Sequence, residues 1–339
     1  MLNNSTKVMF FLILMSGLII VLSSNSWLSA WMGLEINMLS FIPLMLDNNM
    51  LTTEASLKYF LIQALASSIL LFLIISSSFI ENMFTMYFSM MKTFLMIPLL
   101  LKSGVAPMHW WFPSVMEGLS WMNCLILLTI QKLAPLTLMS YSINFNNYLF
   151  HMIIVTSVII GAIGGLNQIS LRKIITYSSI NHLGWLLIAM KLNENMWVSY
   201  FLIYSLLTST VISIIYSTQI SLINQILQLT SNKIIKLLMF SSLLSLGGLP
   251  PFLGFLPKWI IIQMLMMNEI MILSSIMVIM SLITLYYYLR ISYSSFMLLN
   301  LEISWNIKVF KDEMPKFPLI MTTLSILGLM NLTMMFNLF

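Results

Sequence analysis

The sequence predicts an all-α polytopic membrane protein. Of its 339 residues, 60% are apolar and only 7% are charged, whereas about 25% of the residues of a soluble domain are charged. Apolar runs long enough to cross a bilayer, about 20 residues each, recur from one end of the chain to the other. These runs are continuous, whereas a transmembrane β-barrel needs short alternating segments. The composition therefore excludes a conventional soluble enzyme.

We place about eleven transmembrane helices on the sequence. They are predicted at 7–24, 26–46, 54–78, 84–116, 119–141, 147–167, 172–191, 196–219, 234–268, 271–297 and 318–337. Residues 1–145 are expected to form a first five-helix repeat and residues 146–300 a second one. Residues 301–339 then hold a connection and the final helix. No cleaved presequence is expected, because the first apolar run is followed closely by a second.

One internal repeat carries a direct structural meaning. The segment GVAP at 104–107 recurs as GLPP at 248–251, in both cases as G-x-x-P-x5-P and at an offset of 144 residues. Each copy lies in the fourth helix of its five-helix block, and because five is odd the second block must be inverted in the membrane. Proline removes a backbone donor, so both helices should be broken near mid-membrane. Paired broken helices in inverted repeats indicate an ion or substrate path, although chance similarity of two kinks is the alternative.

Four ionisable residues fall inside the predicted helices, namely Glu35, Lys102, Lys132 and Lys258. A charge at the bilayer centre costs about 2.5–3.5 kcal/mol on insertion scales. These side chains therefore need partners or water, and they are expected to face one interior axis. Desolvation favours the neutral amine of a lysine, whereas a nearby carboxylate favours the ammonium ion. Glu35 is thus predicted to modulate proton binding by Lys102 or Lys132.

Two alternatives to proton transfer remain for these charges. A static buried ion pair would only fix helix packing, and Lys258 could extend its side chain to the membrane surface. Among the histidines, His109 follows the first break and either relays protons or binds a freed carbonyl group. His182 shares a helix face with Ser178 and Ser179, which predicts a hydrated polar strip. A structural role is favoured for His151.

The distribution of cations predicts the orientation of the chain. Ten cations fall on the side of the N-terminus, namely Lys7, Lys58, Arg172, Lys173, Lys233, Lys236, Arg290, Lys308, Lys311 and Lys316. Only Lys92 and Lys191 fall on the other side. The 32 methionines and the scarcity of arginine favour an AT-rich organellar gene, and a Met-rich membrane protein from elsewhere is the alternative. The positive-inside rule then places the N-terminus in the mitochondrial matrix and the C-terminus in the intermembrane space.

Redox chemistry is not expected in this chain. Cys124 is the single cysteine, which allows no CxxC-type metal or iron–sulfur site. The sequence also has no G-x-G-x-x-G fingerprint after a strand. We therefore expect no cofactor and no metal ligands here, and no nucleic-acid partner.

Several motifs along the chain resemble a known family. In chain order they are SNSWLSAWMGLEINMLSFIPLM, LKSGVAPMHWWFPSVMEGLSW, IQKLAPL, YSSINHLGW and GGLPPFLGFLPKW. As a set, they resemble the antiporter-like membrane subunits of respiratory complex I, and among these the mitochondrial chain 2 subunits of insects or related animals. The similarity covers nearly the whole length. Bacterial relatives resemble a fourteen-helix form, so this chain is expected to begin three helices later.

The resemblance implies roles for particular residues. It assigns Glu35 and Lys102 to the family's acid–lysine pair, Lys132 to the central lysine, and Lys258 to the lysine beside the second broken helix. His182 matches the histidine of the family's YSSI-x-H segment. Protons are then expected to enter from the matrix, bind Lys102 or Lys132, and pass towards Lys258 when the Glu35 interaction changes.

The resemblance also implies partners and cofactors. The chain is expected to be a core membrane subunit of a proton-translocating NADH:ubiquinone reductase in the mitochondrial inner membrane. NADH, FMN, iron–sulfur clusters and ubiquinone are expected in other subunits. Its partners would be neighbouring antiporter-like and small membrane subunits, together with phospholipids including cardiolipin. A free-standing cation/proton antiporter and a passive membrane scaffold are the alternatives.

Overall fold

The computed structural model describes residues 4–47, 49–80, 85–142, 148–227 and 233–297, with six further positions between 319 and 328. The regular structure of these residues is α-helical, apart from one isolated β-bridge between Ser170 and Leu222. Seven helical segments of the described residues are long and apolar enough to cross a membrane, one of them Trp121–Ser142, which a single residue divides into two helices. The polytopic all-α class is therefore confirmed. The predicted connection at 298–317 lies outside the described residues, as does most of the helix predicted at 318–337.

The chain divides into two compact units, Met1–Ile153 and Ile154–Phe339. The helices of unit 1 are α1 (Asn4–Ser23), α2 (Trp27–Met45), α3 (Met50–Ile80), α4 (Thr85–Ser103), α5 (Trp111–Gly118), α6 (Trp121–Leu128) and α7 (Ile130–Ser142). Helix α8 (Tyr148–Leu166) begins in unit 1 and continues into unit 2. The remaining helices are α9 (Leu171–Leu192), α10 (Glu194–Thr218), α11 (Ile223–Leu227), α12 (Lys233–Gly247), α13 (Phe255–Met267) and α14 (Met271–Met297).

Local sequence explains where several helices begin and end. Ser26 precedes α2, and its hydroxyl accepts a hydrogen bond from the Ser29 N–H at 3.3 Å, as a helix N-cap does. Asn193 both ends α9 and starts α10: its N–H donates to the Ala189 carbonyl, and its side chain accepts from the Asn195 N–H. One polar residue thereby makes the turn between two long apolar helices.

Close helix contacts depend on glycine in both units. A Cβ atom at Gly33 of α2 would lie 2.7 Å from Val21 Cγ2 of α1. In unit 2, a Cβ atom at Gly161 of α8 would lie 2.5 Å from the backbone nitrogen of Asn181 on α9. Small residues at such positions let helix backbones approach closely where no hydrophobic effect drives the helices together.

The outward faces of the helices are apolar. Large apolar side chains on these faces are well exposed, for example Leu12 at 62%, Ile19 at 64% and Phe72 at 70%. Contiguous apolar surface of this kind marks contact with lipid or with another protein. The polar and ionisable side chains considered below lie on the inner faces instead.

Candidate functional site

Both copies of the G-x-x-P repeat interrupt a helix, as the sequence predicts. Helix α4 ends at Ser103 and α5 begins at Trp111, while α12 ends at Gly247 and α13 begins at Phe255. The two breaks therefore begin and end at the same offset of 144 residues as the motifs themselves. Each interruption divides one predicted span into two helices.

The same backbone motif ends the first helix at each break. Gly104 and Gly248 have φ angles of 75° and 83°, which glycine adopts without steric cost. Their N–H groups bond to the carbonyls of Leu101 and Ser245, at 3.2 and 3.1 Å. The next N–H of each segment bonds to a carbonyl five residues back. This is the Schellman cap, so the repeat specifies one local conformation twice.

Side chains add hydrogen bonds to the carbonyls at the end of α4. The Trp111 indole N–H donates to the Leu101 carbonyl at 3.1 Å, and the Gln63 amide donates to the Lys102 carbonyl at 3.3 Å. Irregular backbone at membrane depth is tolerated only where it meets protein or water. The break is therefore a built feature of unit 1, and it directs Lys102 into the interior.

Two of the predicted lysines of unit 1 line one internal cavity. Lys102 lies at the end of α4 and is 7% exposed, and Lys132 lies in the first turn of α7 and is 1% exposed. The cavity has a volume of about 20 Å³ in which the centre of a water molecule fits. A single water needs roughly 10–15 Å³ of such volume. The cavity that both lysines line can therefore hold water. Its lining consists of Leu34, Asn37, Met38, Tyr59, Gln63, Lys102, Ser103, Trp111, Phe112, Leu127, Gln131, Lys132 and Pro135.

A hydrogen-bonded chain of uncharged side chains crosses the cavity wall. The Tyr59 hydroxyl donates to Gln131 Oε1 at 3.3 Å, and the Gln131 amide donates to Asn37 Oδ1 at 3.0 Å. These side chains come from α3, α7 and α2 respectively. Water in the cavity would meet donors and acceptors as well as the two amines, which is what a buried water requires.

Glu35 adjoins Leu34 of this lining but is not itself part of the lining. It is half-buried on α2, and its carboxylate attracts the Lys102 ammonium group electrostatically. In the described structure the two groups are not within the 4.0 Å of a direct ion pair. A static, tightly bonded pair is therefore not what the geometry shows for these two residues.

The predicted helix at 119–141 is wrong in one respect. It is interrupted at Thr129, which separates α6 from α7. At the interruption, the Thr129 hydroxyl donates a hydrogen bond to the Leu125 carbonyl at 2.7 Å. Further along, Pro135 has no N–H to donate to the Gln131 carbonyl. The Lys132 N–H bonds to the Thr129 carbonyl at 3.2 Å. Lys132 therefore lies in the first turn of a new helix, and its ammonium nitrogen lies 5.0 Å from the centre of the Phe112 ring.

Lys258 lies in the first turn of α13, directly after the second break, in unit 2. It is 5% exposed, and its ammonium group donates to the Gly247 carbonyl at 2.9 Å. The nitrogen also lies 6.0 Å from the centre of the Trp185 ring. A Cβ atom at Gly248 would lie 3.1 Å from that nitrogen. The side chain thus folds back onto the broken helix rather than extending to the surface.

The histidines take separate positions. His182 is buried on α9, and its Nδ1 lies 2.9 Å from the Tyr200 hydroxyl. His109 is buried in the first break, and its Nδ1 lies 3.2 Å from the Pro107 carbonyl, the contact expected of its structural alternative. His151 is half-buried in the first turn of α8.

Sequence reasoning missed the uncharged members of both sites. Asn37, Tyr59, Gln63 and Gln131 of the cavity were not predicted, and neither was Tyr200 beside His182. Asn37 is two residues from Glu35 and Gln131 adjoins Lys132. Amide side chains next to an intramembrane charge are the signal that points to them.

Comparison with known proteins identifies the family. The family described as NADH:quinone oxidoreductase/Mrp antiporter, transmembrane, matches residues 24–284. NADH-ubiquinone oxidoreductase chain 2 of Anopheles gambiae is 54% identical over 333 residues, which cover 96% of this chain and 97% of the relative. The match therefore extends over both chains almost completely.

Solved structures show the same fold at low sequence identity. A chain of respiratory complex I from Thermus thermophilus superposes with a TM-score of 0.80 at 22% identity, covering 95% of this chain and 78% of that one. A chain of the Mrp complex from Dietzia sp. DQ12-45-1b gives a TM-score of 0.75 at 18% identity, covering 84% of this chain. This chain spans 59% of the length of that Mrp chain. The chain belongs to the NADH-ubiquinone oxidoreductase chain 2 family, within the wider NADH:quinone oxidoreductase/Mrp antiporter family.

Proposed function

We propose that this chain is a membrane subunit of the NADH:ubiquinone oxidoreductase and that it translocates protons through its polar interior. The cavity between Lys102 and Lys132 is the observation that carries the proposal, because it places two buried amines against space for water in a chain whose outer faces are apolar. The names of the relatives support the identity of the complex. The redox chemistry of other subunits would drive the transfer.

The proposed transfer uses the competing effects of burial and of Glu35. Burial favours the neutral amine of Lys102, which can accept a proton, and the carboxylate favours the ammonium form. Glu35 acts on Lys102 from beyond ion-pair distance. A small movement of the carboxylate or the amine therefore changes the proportion of neutral amine to ammonium ion. Each proton moved against the membrane potential requires about 2.3 kcal/mol per 100 mV. Lys258 is the proposed station of unit 2.

Location, orientation and partners form part of the same proposal. The chain lies in the mitochondrial inner membrane with its N-terminus in the matrix, which the asymmetry of the cations supports. Other membrane-arm subunits, together with phospholipids including cardiolipin, cover its exposed apolar faces. NADH, FMN, the iron–sulfur clusters and ubiquinone bind to other subunits, since such clusters typically need four thiolates and Cys124 is the single cysteine.

Replacement of Lys102 by alanine tests the proposal. We expect the complex to assemble and oxidise NADH while the protons pumped per electron pair fall below the wild-type ratio, because the cavity loses one of its two proton carriers. The measurement is the proton-to-electron ratio in sealed membranes. Lys58→Ala is the matched control, because Lys58 is exposed and pairs with Glu54 at 2.6 Å, and such surface pairs contribute little. A wild-type ratio for Lys102→Ala would end the proposal.

A free-standing cation/proton antiporter is the second candidate, and the similarity to an Mrp chain favours it. It would function without an NADH-oxidising partner. Electrophoresis in a mild detergent separates the two: the proposed subunit migrates with NADH dehydrogenase activity in one large assembly, whereas a free-standing antiporter migrates apart from that activity.

A further inference from the structure

Unit 2 buries four tyrosines that the proposed function does not use. Tyr200 and Tyr204 lie on α10, and Tyr287 and Tyr288 lie on α14, each with at most 2% of its surface exposed. A buried tyrosine hydroxyl usually has a hydrogen-bond partner. Within the described residues, however, the hydroxyls of Tyr287 and Tyr288 make no well-formed hydrogen bond.

Two polar atoms of α9 are also buried without a hydrogen bond in the described part of the chain. Asn181 Oδ1 and Trp185 Nε1 are buried without a hydrogen-bond partner among the described residues. Together with the two hydroxyls, they make four such atoms on two helices that pack in one unit. Leaving one buried polar atom unsatisfied costs about 1–3 kcal/mol. These four atoms are therefore positions in unit 2 at which ordered water would find hydrogen-bond partners.

The tyrosines connect to His182 on one side. The Tyr200 hydroxyl lies 2.9 Å from His182 Nδ1, and the Tyr204 ring lies 5.1 Å from the His182 ring. The Tyr204 hydroxyl faces Ser179 of α9, one turn before His182. Ser178, which adjoins Ser179, acts electrostatically on the hydroxyls of Tyr287 and Tyr288 of α14 without a well-formed hydrogen bond to either of them.

On the other side the same group reaches the second helix break. A Cβ atom at Gly247 would lie 3.3 Å from Cδ2 of Tyr288, so the ring packs directly on that glycine. The Gly247 carbonyl is the acceptor of the Lys258 ammonium group. The indole N–H of Trp185 has no partner among the described residues, and the Trp185 ring lies 6.0 Å from the same ammonium nitrogen. The Tyr288 ring therefore packs beside the backbone that binds Lys258, and Tyr200 contacts His182, so the tyrosine group touches both ends of the region.

We propose that Tyr200, Tyr204, Tyr287 and Tyr288 form a hydroxyl relay that holds ordered water and conducts protons between Lys258 and His182. The inference rests on the proposed function and names the side chains that perform it within unit 2. Lys258 releases a proton and becomes a neutral amine, and the His182 imidazole takes one up. At each hydroxyl or water between them, the oxygen accepts the arriving proton and the group donates its original proton to the next oxygen or nitrogen. One O–H bond forms for each that breaks, so every tyrosine remains neutral.

Phenylalanine substitutions test the relay because they remove the hydroxyl and keep the ring. In the assembled complex, Tyr287→Phe and Tyr288→Phe should each slow proton pumping about five-fold, the effect of losing the hydrogen bond from one hydroxyl to the proposed water. The slowing in D2O relative to H2O should also increase, because proton transfer limits the rate. Tyr286→Phe is the matched control on the same helix, since Tyr286 is 59% exposed, and it should pump as the wild type does.

Three results would separate the possible failures. Wild-type pumping in both phenylalanine variants, with pumping lost in Lys102→Ala, would overturn the relay and leave the proposed function standing. Equal slowing in H2O and D2O would show that the tyrosines only pack. Wild-type pumping in Lys102→Ala would overturn the proposed function itself. If a variant fails to assemble, a high-resolution map of the wild-type complex decides: the relay requires water density about 2.8 Å from the Tyr287 or Tyr288 hydroxyl, and dry packing there overturns it.

Discussion

Replacing Lys132 by methionine is expected to stop proton transfer through unit 1 while the complex assembles. Lys132 is 1% exposed and lines the cavity that it shares with Lys102. Methionine keeps the length and flexibility of the side chain but cannot bind a proton. A positioned proton-transfer group typically contributes about 10²–10⁴-fold to a rate, so we expect the pumping attributable to this chain to fall about 100-fold. The measurement is the initial rate of proton translocation on addition of NADH.

Lys132→Arg distinguishes a proton carrier from a fixed positive charge. Arginine keeps the charge and is not deprotonated in proteins. If Lys132 carries protons, the arginine variant should fail as the methionine variant does. If the residue only fixes helix packing, as in a passive scaffold, arginine should restore pumping and methionine should cost stability alone. Either of those outcomes would contradict the role proposed for Lys132.

Replacing Gly254 by alanine is expected to prevent unit 2 from forming its broken helix. The added Cβ atom would clash with the backbone carbonyl oxygen of Ser245 in α12. Gly254 has a φ angle of −65°, which alanine adopts freely, so the effect is purely one of space. Overpacking against backbone costs about 1–3 kcal/mol or more, and 1.4 kcal/mol changes an equilibrium tenfold. We therefore expect at least about tenfold less assembled complex, measured as NADH dehydrogenase activity in a native gel.

Gly247→Ala gives the comparison for this prediction. Its Cβ atom would meet Tyr288 Cδ2 at 3.3 Å and nothing else closer than 3.8 Å, and a side chain can yield by a few tenths of an ångström. This variant should assemble in much larger amounts than Gly254→Ala. Equal assembly of the two variants would show that the tight contact at Gly254 does not hold α12 and α13 together.

The helix breaks at Gly104 and Gly248 could be predicted because the information is local. A glycine followed three residues later by proline specifies a left-handed cap and the end of a helix. The interruption at Thr129 could not be predicted in the same way, because Pro135 lies six residues further on and many transmembrane helices contain a proline without breaking. Its location depends on the packing of α7 within unit 1.

The charged members of the sites were predictable, whereas the neutral members were not. Glu35 and Lys132 stand out in any apolar segment because a charge there is costly. Gln63 and Gln131 carry no such cost, and their importance appears only when α3 and α7 bring them to the same cavity. Tyr287 is similar, since tyrosines in membrane helices usually mark the interface with water, and only the fold shows that this one is buried.

The proton-to-electron ratio of Lys102→Ala, Lys132→Met and the double variant tests the central claim most directly. Residues that act as one unit have strongly non-additive effects. If protons pass through the shared cavity, each single variant should lower the ratio by the contribution of this chain, and the double variant should lower it no further. Wild-type ratios in both single variants, or losses that simply add in the double variant, would contradict a single wet path through Lys102 and Lys132.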